Sequence, residues 1–379
     1  MVADGMVIRD FVESCARPPS KRALLAYLVA PLLPPPSLRD RILFSNHGLA
    51  QHLAHALNEL DYSVDVVHFD NPSWTPNRYY DLFIGHGGHQ FLRFAEKVGG
   101  PKLYFSTGMY WRSWNSCESE RLHNLTCRTG HLLPRDRAID HSEEAANRLA
   151  TGIICLGNTE AARTYEGFPV VARVNNAAFP LSSVPEKTHA DTRRGFLFFA
   201  GRGNVHKGLD VLLEAVEGSS AELHVCQHIE PEFERVYERL LRLPNVHVHG
   251  FIKMRSPAFE SIAARCSWVI LPTCAEGQPG SVLECMAYGL IPVLPVRAHV
   301  DLGDFGVPID DCSPLRLRRI MDECMRTSRL ECLARSQSIL ATMARDYTPL
   351  SFRTQFKAAV EYCMRAASST VDESALRTS

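Results

Sequence analysis

The sequence has no CxxC pair, no apolar stretch long enough to cross a bilayer, few lysines and almost no net charge. Its twelve cysteines (Cys15, Cys117, Cys127, Cys155, Cys226, Cys266, Cys274, Cys285, Cys312, Cys324, Cys332, Cys363) are scattered over 379 residues. That distribution excludes a small disulfide scaffold and points to a reducing, cytoplasmic compartment. His123, Cys127 and His131 stand four apart and would share a helix face, with Cys117 upstream. No CxxC or HxxxH knuckle accompanies them, so they read as thiols and surface histidines, and no metal is expected. The longest apolar run, Ala23 to Leu33, is interrupted by Pro31 and closed by Pro34-Pro35-Pro36. A membrane span needs about 20 apolar residues, so this run is expected to form a buried strand or short helix of the first domain, and neither a transmembrane segment nor a signal peptide is expected. The Lys21-Arg22 lead-in leaves peripheral membrane contact open.

Lys plus Arg number 41 against 42 Asp plus Glu, for a net charge of -1. Near-neutrality removes the long-range field of a nucleic-acid binder, so no nucleic-acid partner is expected. Only 7 of the 41 cations are lysine and 34 are arginine, an excess that coding bias accounts for at most positions.

What is present is an ordinary globular composition, 45% apolar and 22% charged, in a chain long enough for two domains. Short apolar runs alternate with amphipathic helices, the pattern of parallel α/β units. Strands are expected at 41–45, 64–69, 81–85, 102–106, 153–156 and 170–174, with a helix from about His47 carrying Leu49, Leu53, Leu57 and Leu60 on one stripe. Asn158-Thr159 is a helix start. Residues 180–195 break the alternation with Pro, Ser and charge, as a linker does. It restarts with strands at 196–200, 222–226, 246–249, 268–271 and 291–294, and helices at about 208–217, 231–242, 257–265, 280–288, 313 and 329 onward. A last helix from about Leu350 places Phe352, Phe356, Val360 and Cys363 on one face. The expected organisation is a doubly wound domain over 1–180, a second over 181–348, a crossover helix over 349–366, and a disordered tail over 367–379.

In open α/β sheets ligands bind beyond the carboxyl ends of the strands, so the loops there carry the chemistry. Ala200 to Gly208 (AGRGNVHKG) leaves the strand FLFFA and enters a helix. Glycines admit a ligand close to the backbone, the helix start favours an anion, and Arg202 and Lys207 add a fork and a point charge. This describes a phosphate site, although the same composition also makes a solvated turn. The GxxxxGK[ST] order of a Walker loop is absent. The second loop, Glu276 to Glu284 (EGQPGSVLE), leaves the strand WVILP. Glu284 falls about one turn into an apolar helix, where a carboxylate serves a ligand or pairs with an arginine. Gly280 and Ser281 offer bare N–H groups.

At these two loops the chain resembles a known family. Gly201-Arg202, Lys207-Gly208 and the following LDVLLEA are similar to the GR-x4-KG-x-D-x-LL-x-A signature of GT-B glycosyltransferases, specifically the retaining, nucleotide-sugar-dependent group called family four or glycosyl transferases group 1. Glu276-x7-Glu284 followed by CMAYGLIPV resembles that group's E-x7-E motif and its EAMA-x-G-x-PVV continuation. The motifs stand in order about 70 residues apart; the first domain agrees only in general pattern, through RILFSNHG, YDLFIGHGG and Val174-Asn175-Asn176. The resemblance implies a GT-B fold, two Rossmann-like domains facing across a cleft with the C-terminal helix crossing back, and a metal-independent transfer of sugar from a nucleotide-diphosphate sugar to an unknown acceptor, without other cofactor. It implies that Arg202 and Lys207 hold the donor diphosphate, that Glu276 binds the donor sugar and Glu284 the ribose, that Gly201, Gly277, Gly280, Ser281 and Val282 line the donor, and that Phe251-Ile252 meets the nucleobase.

Two departures stand out. The family's EGFG is here Glu276-Gly277-Gln278-Pro279-Gly280, and Pro279 removes one N–H. Where many members carry a first-domain histidine this chain has Thr107-Gly108, while His86 ends the preceding strand. His86, Thr107 and Gly108 are therefore the acceptor-side candidates, with a solvated loop histidine as the alternative for His86. Tyr110, Trp111, Trp114, Glu118 and Glu120 suit sugar recognition or a helical insertion. A GT-B-like nucleotide-sugar-binding or scaffold protein without transfer is the rival reading.

Overall fold

Runs rich in Val, Ile and Leu suit strands covered on both faces. In the computed structural model, which describes residues 6–12, 18–33, 45–179, 181 and 192–377 apart from the side chains of 45–47 and 367–377, these runs form two separate sheets. The chain divides into two compact units, the first comprising Met1–Trp111, Ile139–Ala177 and Pro349–Ser379, the second Arg112–Ala138 and Ala178–Thr348.

The first unit holds β1 (Val7–Phe11), β2 (Lys21–Tyr27), β3 (Tyr62–His68), β4 (Leu82–Gly85), β5 (Lys102–Ser106), β6 (Gly152–Leu156) and β7 (Val171–Val174). Their order is β1-β3-β2-β4-β5-β6-β7. All pairings are parallel except β1 on β3, whose register shifts between Ile8 and Phe11. Alternate residues serve opposite cores. Leu25, Val66, Ile84, Leu103 and Ile154 face helix Ser45–Glu59, through Leu49, Leu53 and Leu57, and the C-terminal helix Pro349–Arg377, through Phe352, Phe356, Val360 and Cys363. Leu24, Phe83, Tyr104 and Ile153 face the other core, with Phe91, Phe94 and Tyr165. Asp65, fully buried within β3, is satisfied by the Tyr80 hydroxyl at 2.6 Å, Arg78 Nε at 2.8 Å and the Asp10 N–H at 2.9 Å. Asn158 caps helix Thr159–Arg163 by accepting from Glu160 N–H.

The second unit holds β8 (Gly195–Phe199), β9 (Glu222–Cys226), β10 (Val246–Val248), β11 (Trp268–Ile270), β12 (Ile291–Pro295) and β13 (Val307–Ile309), ordered β10-β9-β8-β11-β12-β13 and parallel throughout. β8 and β11 are neighbours, so the strand order reverses between them. In a doubly wound sheet that reversal opens a crevice at the strands' carboxyl ends.

Several expectations change. Of the strand expected over 41–45, residues 41–44 lie outside the described residues, and Ser45 opens a helix. Most of the expected linker, residue 180 and 182–191, also lies outside them. The C-terminal helix runs to Arg377 where a disordered tail was expected from 367. β1 and β13 were not anticipated: Arg9-Asp10 interrupts one, and Pro308 suits the other only because it is an edge. The largest correction concerns Arg112–Ala138, expected within the N-terminal domain 1–180, which packs as part of the second unit. Among the described residues no helix is long and apolar enough to cross a membrane.

Two histidines tie stability to pH. Burial, then the nearby Arg353 and His55, pushes His52 down to about 4. Burial, then His247, His249 and Arg265, does the same to His224. The unfolded chain protonates first, near 6.5, so stability is full above that pH and falls as acid is added down to about 4. Each histidine is expected to contribute roughly 1–2 kcal/mol of loss by about pH 5. Thermal midpoints across that range, compared between the natural chain and His52→Leu, check this; parallel curves would refute the assignment.

Candidate active site

The loops leaving β8 and β11 emerge side by side. After β8 the chain runs through Ala200-Gly201-Arg202-Gly203 into the short helix Asn204–Lys207 and, through Gly208, into helix Leu209–Val216. Gly208 has φ +89°, and a Cβ there would collide with Pro272 O of the neighbouring loop. That close approach is what seats Lys207 against the β11 loop. Asn204 ties the turn to the loop after β9, with Nδ2 donating to Gln227 Oε1 at 2.7 Å and His228 O at 2.9 Å, and Oδ1 accepting from Glu230 N–H at 2.9 Å.

Lys207 and Glu276, both buried, form an ion pair between the two loops. Burial alone would raise the Glu276 carboxyl, but Lys207 beside it, with His206 and Arg137, holds it below the ordinary glutamate value. Glu276 Oε1 takes Lys207 and the Thr273 hydroxyl at 3.0 Å, and Oε2 makes no hydrogen bond among the described residues. His299 Nδ1–H donates to Glu276 O at 2.8 Å, and Gln278 Nε2 donates to His299 O at 2.9 Å, which fixes the loop from behind.

Arg202 and Gly201 are exposed at the head of the turn, and Arg202 has no ion pair among the described residues. Its charge reaches Glu230, whose carboxyl is pushed up by burial and by the adjacent Asp136.

His206, with Nε2–H donating to Ala275 O at 2.7 Å, stacks on Trp114 at 4.8 Å and turns Nδ1 toward Glu118 Oε1 at 3.6 Å. Trp114 and Glu118 come from helix Trp111–Thr129. The same helix sends Arg121 to Pro272 O at 2.8 Å, and Arg121 and Arg128 to the fully buried Asp210 at 3.6 and 2.6 Å. The five residues considered for sugar recognition are therefore not brought together. Trp114 and Glu118 are buried against His206 of the loop after β8, Glu120 pairs with Arg297 at 3.3 Å, and Tyr110 and Trp111 bond Glu144 in the first unit.

Helix Gly280–Ala287 starts at Pro279, whose carbonyl accepts from Val282 and Leu283 N–H at 3.0 and 3.2 Å. The Gly280 and Ser281 N–H groups have no partner among the described residues, whereas Val282, expected to offer one, does not. Gly277 is buried in the loop. Glu284, buried one turn in, accepts from Phe179 N–H at 3.3 Å on Oε1 and from Arg255 Nε and Nη2 at 2.9 and 2.6 Å on Oε2. The arginine pair expected as the alternative thus exists. Burial raises this carboxyl against the pull of Arg255. Arg255 itself is held at φ +60°, and nothing in the residue pattern signalled it. Phe251, 71% exposed, and the half-buried Ile252 follow β10 at the same end of the sheet. A cavity of about 560 Å³ beside the ends of β11 and β12, lined by Arg121, Thr273, Cys274, Arg297 and Cys312, contains none of the motif side chains.

In the first unit, His86 and Thr107-Gly108 follow the neighbouring strands β4 and β5. His86 Nδ1–H donates to Phe105 O at 3.0 Å, burial lowers its pKa, and Nε2 is left as an acceptor. Gly108 O accepts from Ser106 Oγ at 2.9 Å and the Tyr165 hydroxyl at 3.2 Å. On the helix Trp111–Thr129, Cys127 Sγ lies 3.5 Å from His123 Nε2, whereas His131 bonds Thr129 O past the helix end.

The family described as glycosyl transferases group 1 matches residues 194–301, within the second unit and across both loops. The second unit is a group 1 glycosyltransferase domain. Solved structures add the fold of the whole chain. Sucrose-phosphate synthase from Thermosynechococcus elongatus is 10% identical, with 91% of this chain and 100% of that chain covered and a TM-score of 0.64. HepE from Anabaena, in complex with UDP, is 13% identical, with 90% and 99% covered and a TM-score of 0.58. A TarM variant from S. aureus is 13% identical, with 73% and 55% covered and a TM-score of 0.53, so this chain spans just over half of TarM's length. At such identities the likeness establishes the GT-B fold and no more. A sequence search of the curated proteins finds no match.

The buried pair of the glycosyltransferase domain is testable. Removing one partner of a buried ion pair leaves an uncompensated charge, so Lys207→Met is expected to cost about 3–5 kcal/mol. Adding Glu276→Gln should recover much of that loss in denaturant titrations, and purely additive losses would contradict direct pairing.

Proposed function

We propose that this glycosyltransferase moves a sugar, with retention of anomeric configuration and without a metal, from a nucleoside-diphosphate donor to an acceptor hydroxyl. One observation carries this reading: Lys207 and Glu276, from two motif loops at the reversal of strand order, meet in one buried contact with Arg202 exposed beside them.

The chemistry follows from those groups. Arg202 and Lys207 meet the diphosphate and stabilise the charge that develops as the bond from the anomeric carbon to the phosphate oxygen breaks. Glu276 Oε2, which has no hydrogen bond among the described residues, accepts from a donor-sugar hydroxyl. The Gly280 and Ser281 N–H groups add donors at a helix start. Glu284 shares its remaining lone pairs with the ribose hydroxyls while Arg255 holds its carboxyl in place. The acceptor hydroxyl attacks from the face the diphosphate leaves, forms the new carbon–oxygen bond, and passes its proton to a phosphate oxygen. Neutral His86 with its free Nε2, beside Thr107 and Gly108, is the acceptor-side candidate in the first unit. Because HepE and TarM have been crystallised with UDP, UDP-sugars are the first donors to test. We infer a cytoplasmic location from the eleven described cysteines, all of which are free thiols.

Calorimetry with UDP, GDP and ADP, followed by turnover of the matching nucleotide sugars, tests the reading. One nucleoside diphosphate should bind. Arg202→Ala should lower kcat/KM about 10²–10³-fold, as expected for loss of one donor to a developing charge. Chelators should leave turnover unchanged. A chain that binds none of the three overturns the proposal.

A further inference from the structure

A donor diphosphate carries two negative charges and gains another as it leaves, whereas Lys207 is already paired with Glu276. Of the two cations that the motifs supply, only Arg202 is free of an ion pair among the described residues. A further cation lies within the same unit. We propose that Arg137, delivered by the segment Arg112–Ala138, is a third donor-binding cation that contacts the diphosphate; this rests on the nucleotide-sugar reading above.

The placement of Arg137 is built from both sides. Its N–H donates to Glu118 Oε1 at 2.9 Å, and its carbonyl accepts from Trp114 Nε1–H at 2.7 Å. Its stem lies across the phosphate loop, since a Cβ on Gly203 would come within 2.9 Å of Arg137 Cγ and 3.3 Å of Cδ. Gly203 is therefore glycine for two reasons: its φ of +95° and the side chain lying on it. The guanidinium carbon sits 5.8 Å from the centre of the Trp114 ring, which orients the group without neutralising it. The head makes no hydrogen bond and no ion pair among the described residues, and its Nε is fully buried. A buried donor without a partner is rare in folded proteins and asks for one. Here it lies beside the glycine turn where an anion is expected, close enough for its charge to help hold Glu276 ionised. Besides Glu118, the carboxyls near this turn are Asp136 and Glu230, and burial together with Asp136 pushes Glu230 up. Glu118, His206 and Trp114 then have a purpose beyond filling space: they pin the backbone from which Arg137 projects.

The test titrates UDP, GDP and ADP, their nucleosides, and inorganic pyrophosphate into the natural chain, Arg137→Met and Arg137→Lys. Methionine keeps the stem on Gly203 and Trp114 and removes only the charged head. The expected result is a roughly tenfold or greater loss of nucleoside diphosphate and pyrophosphate affinity in Arg137→Met, as for one lost charge-assisted bond. Nucleoside affinity and thermal midpoint should be unchanged, and Arg137→Lys should recover part of the loss. Equal nucleoside diphosphate affinity in the natural chain and Arg137→Met overturns this inference and leaves the donor reading standing. So does a loss shared equally by the nucleoside, which would mark a structural role. A natural chain that binds none of the nucleoside diphosphates overturns both.

Discussion

The buried ion pair between Lys207 and Glu276 is the contact on which the candidate site depends. Two charges taken out of water are costly unless geometry and further hydrogen bonds compensate. The surroundings supply this: Thr273 on Oε1, His299 on the Glu276 carbonyl, and a glycine at 208 that lets the two loops close on each other. The pair holds one cation and one acceptor atom at the sheet's reversal point, in the place the proposed reaction requires. A preorganised polar site of this kind need not reorganise when charge develops.

Around that contact is a second tier of buried charge. Asp210, in the first turn of helix Leu209–Val216, is fully buried, and burial raises its carboxyl against the pull of Arg121 and Arg128. Both arginines come from helix Trp111–Thr129, whose Glu118 also faces His206. Glu118 is held below the usual range despite burial, through His206 and the Arg137 N–H. Each buried charge is thus the partner that another requires, and the helix cannot leave without orphaning several at once. That explains why Arg112–Ala138 packs with the second unit although first-unit strands flank it in the chain.

Much of this was legible in the residues alone. Most strands of both sheets stand out as short apolar runs, and the two motif loops stand out because glycines, cations and carboxylates rarely share such spacing at strand ends. Less legible were elements whose local signal is weak. β1 has charge in its middle, and β13 is three residues long with a proline. Least legible were the long-range polar contacts. Arg255 on Glu284, Trp114 on His206 and Arg137 on Gly203 join residues 29, 92 and 66 positions apart in the numbering. No periodicity reports such pairings.

The arginine excess shows the same division. Composition marks 34 guanidinium groups as equivalent, and the motif spacing distinguishes only Arg202. The fold separates the others by environment: Arg121 and Arg128 face Asp210, Arg255 clamps Glu284, and the Arg137 head, unpaired among the described residues, lies beside the Gly203 turn. Local sequence marked most of the strands and the residue types of two loops, because backbone propensity and side-chain alternation act over a few residues. Which charges are buried and which are paired was decided by tertiary packing alone, since desolvation and charge pairing depend on proximity in space.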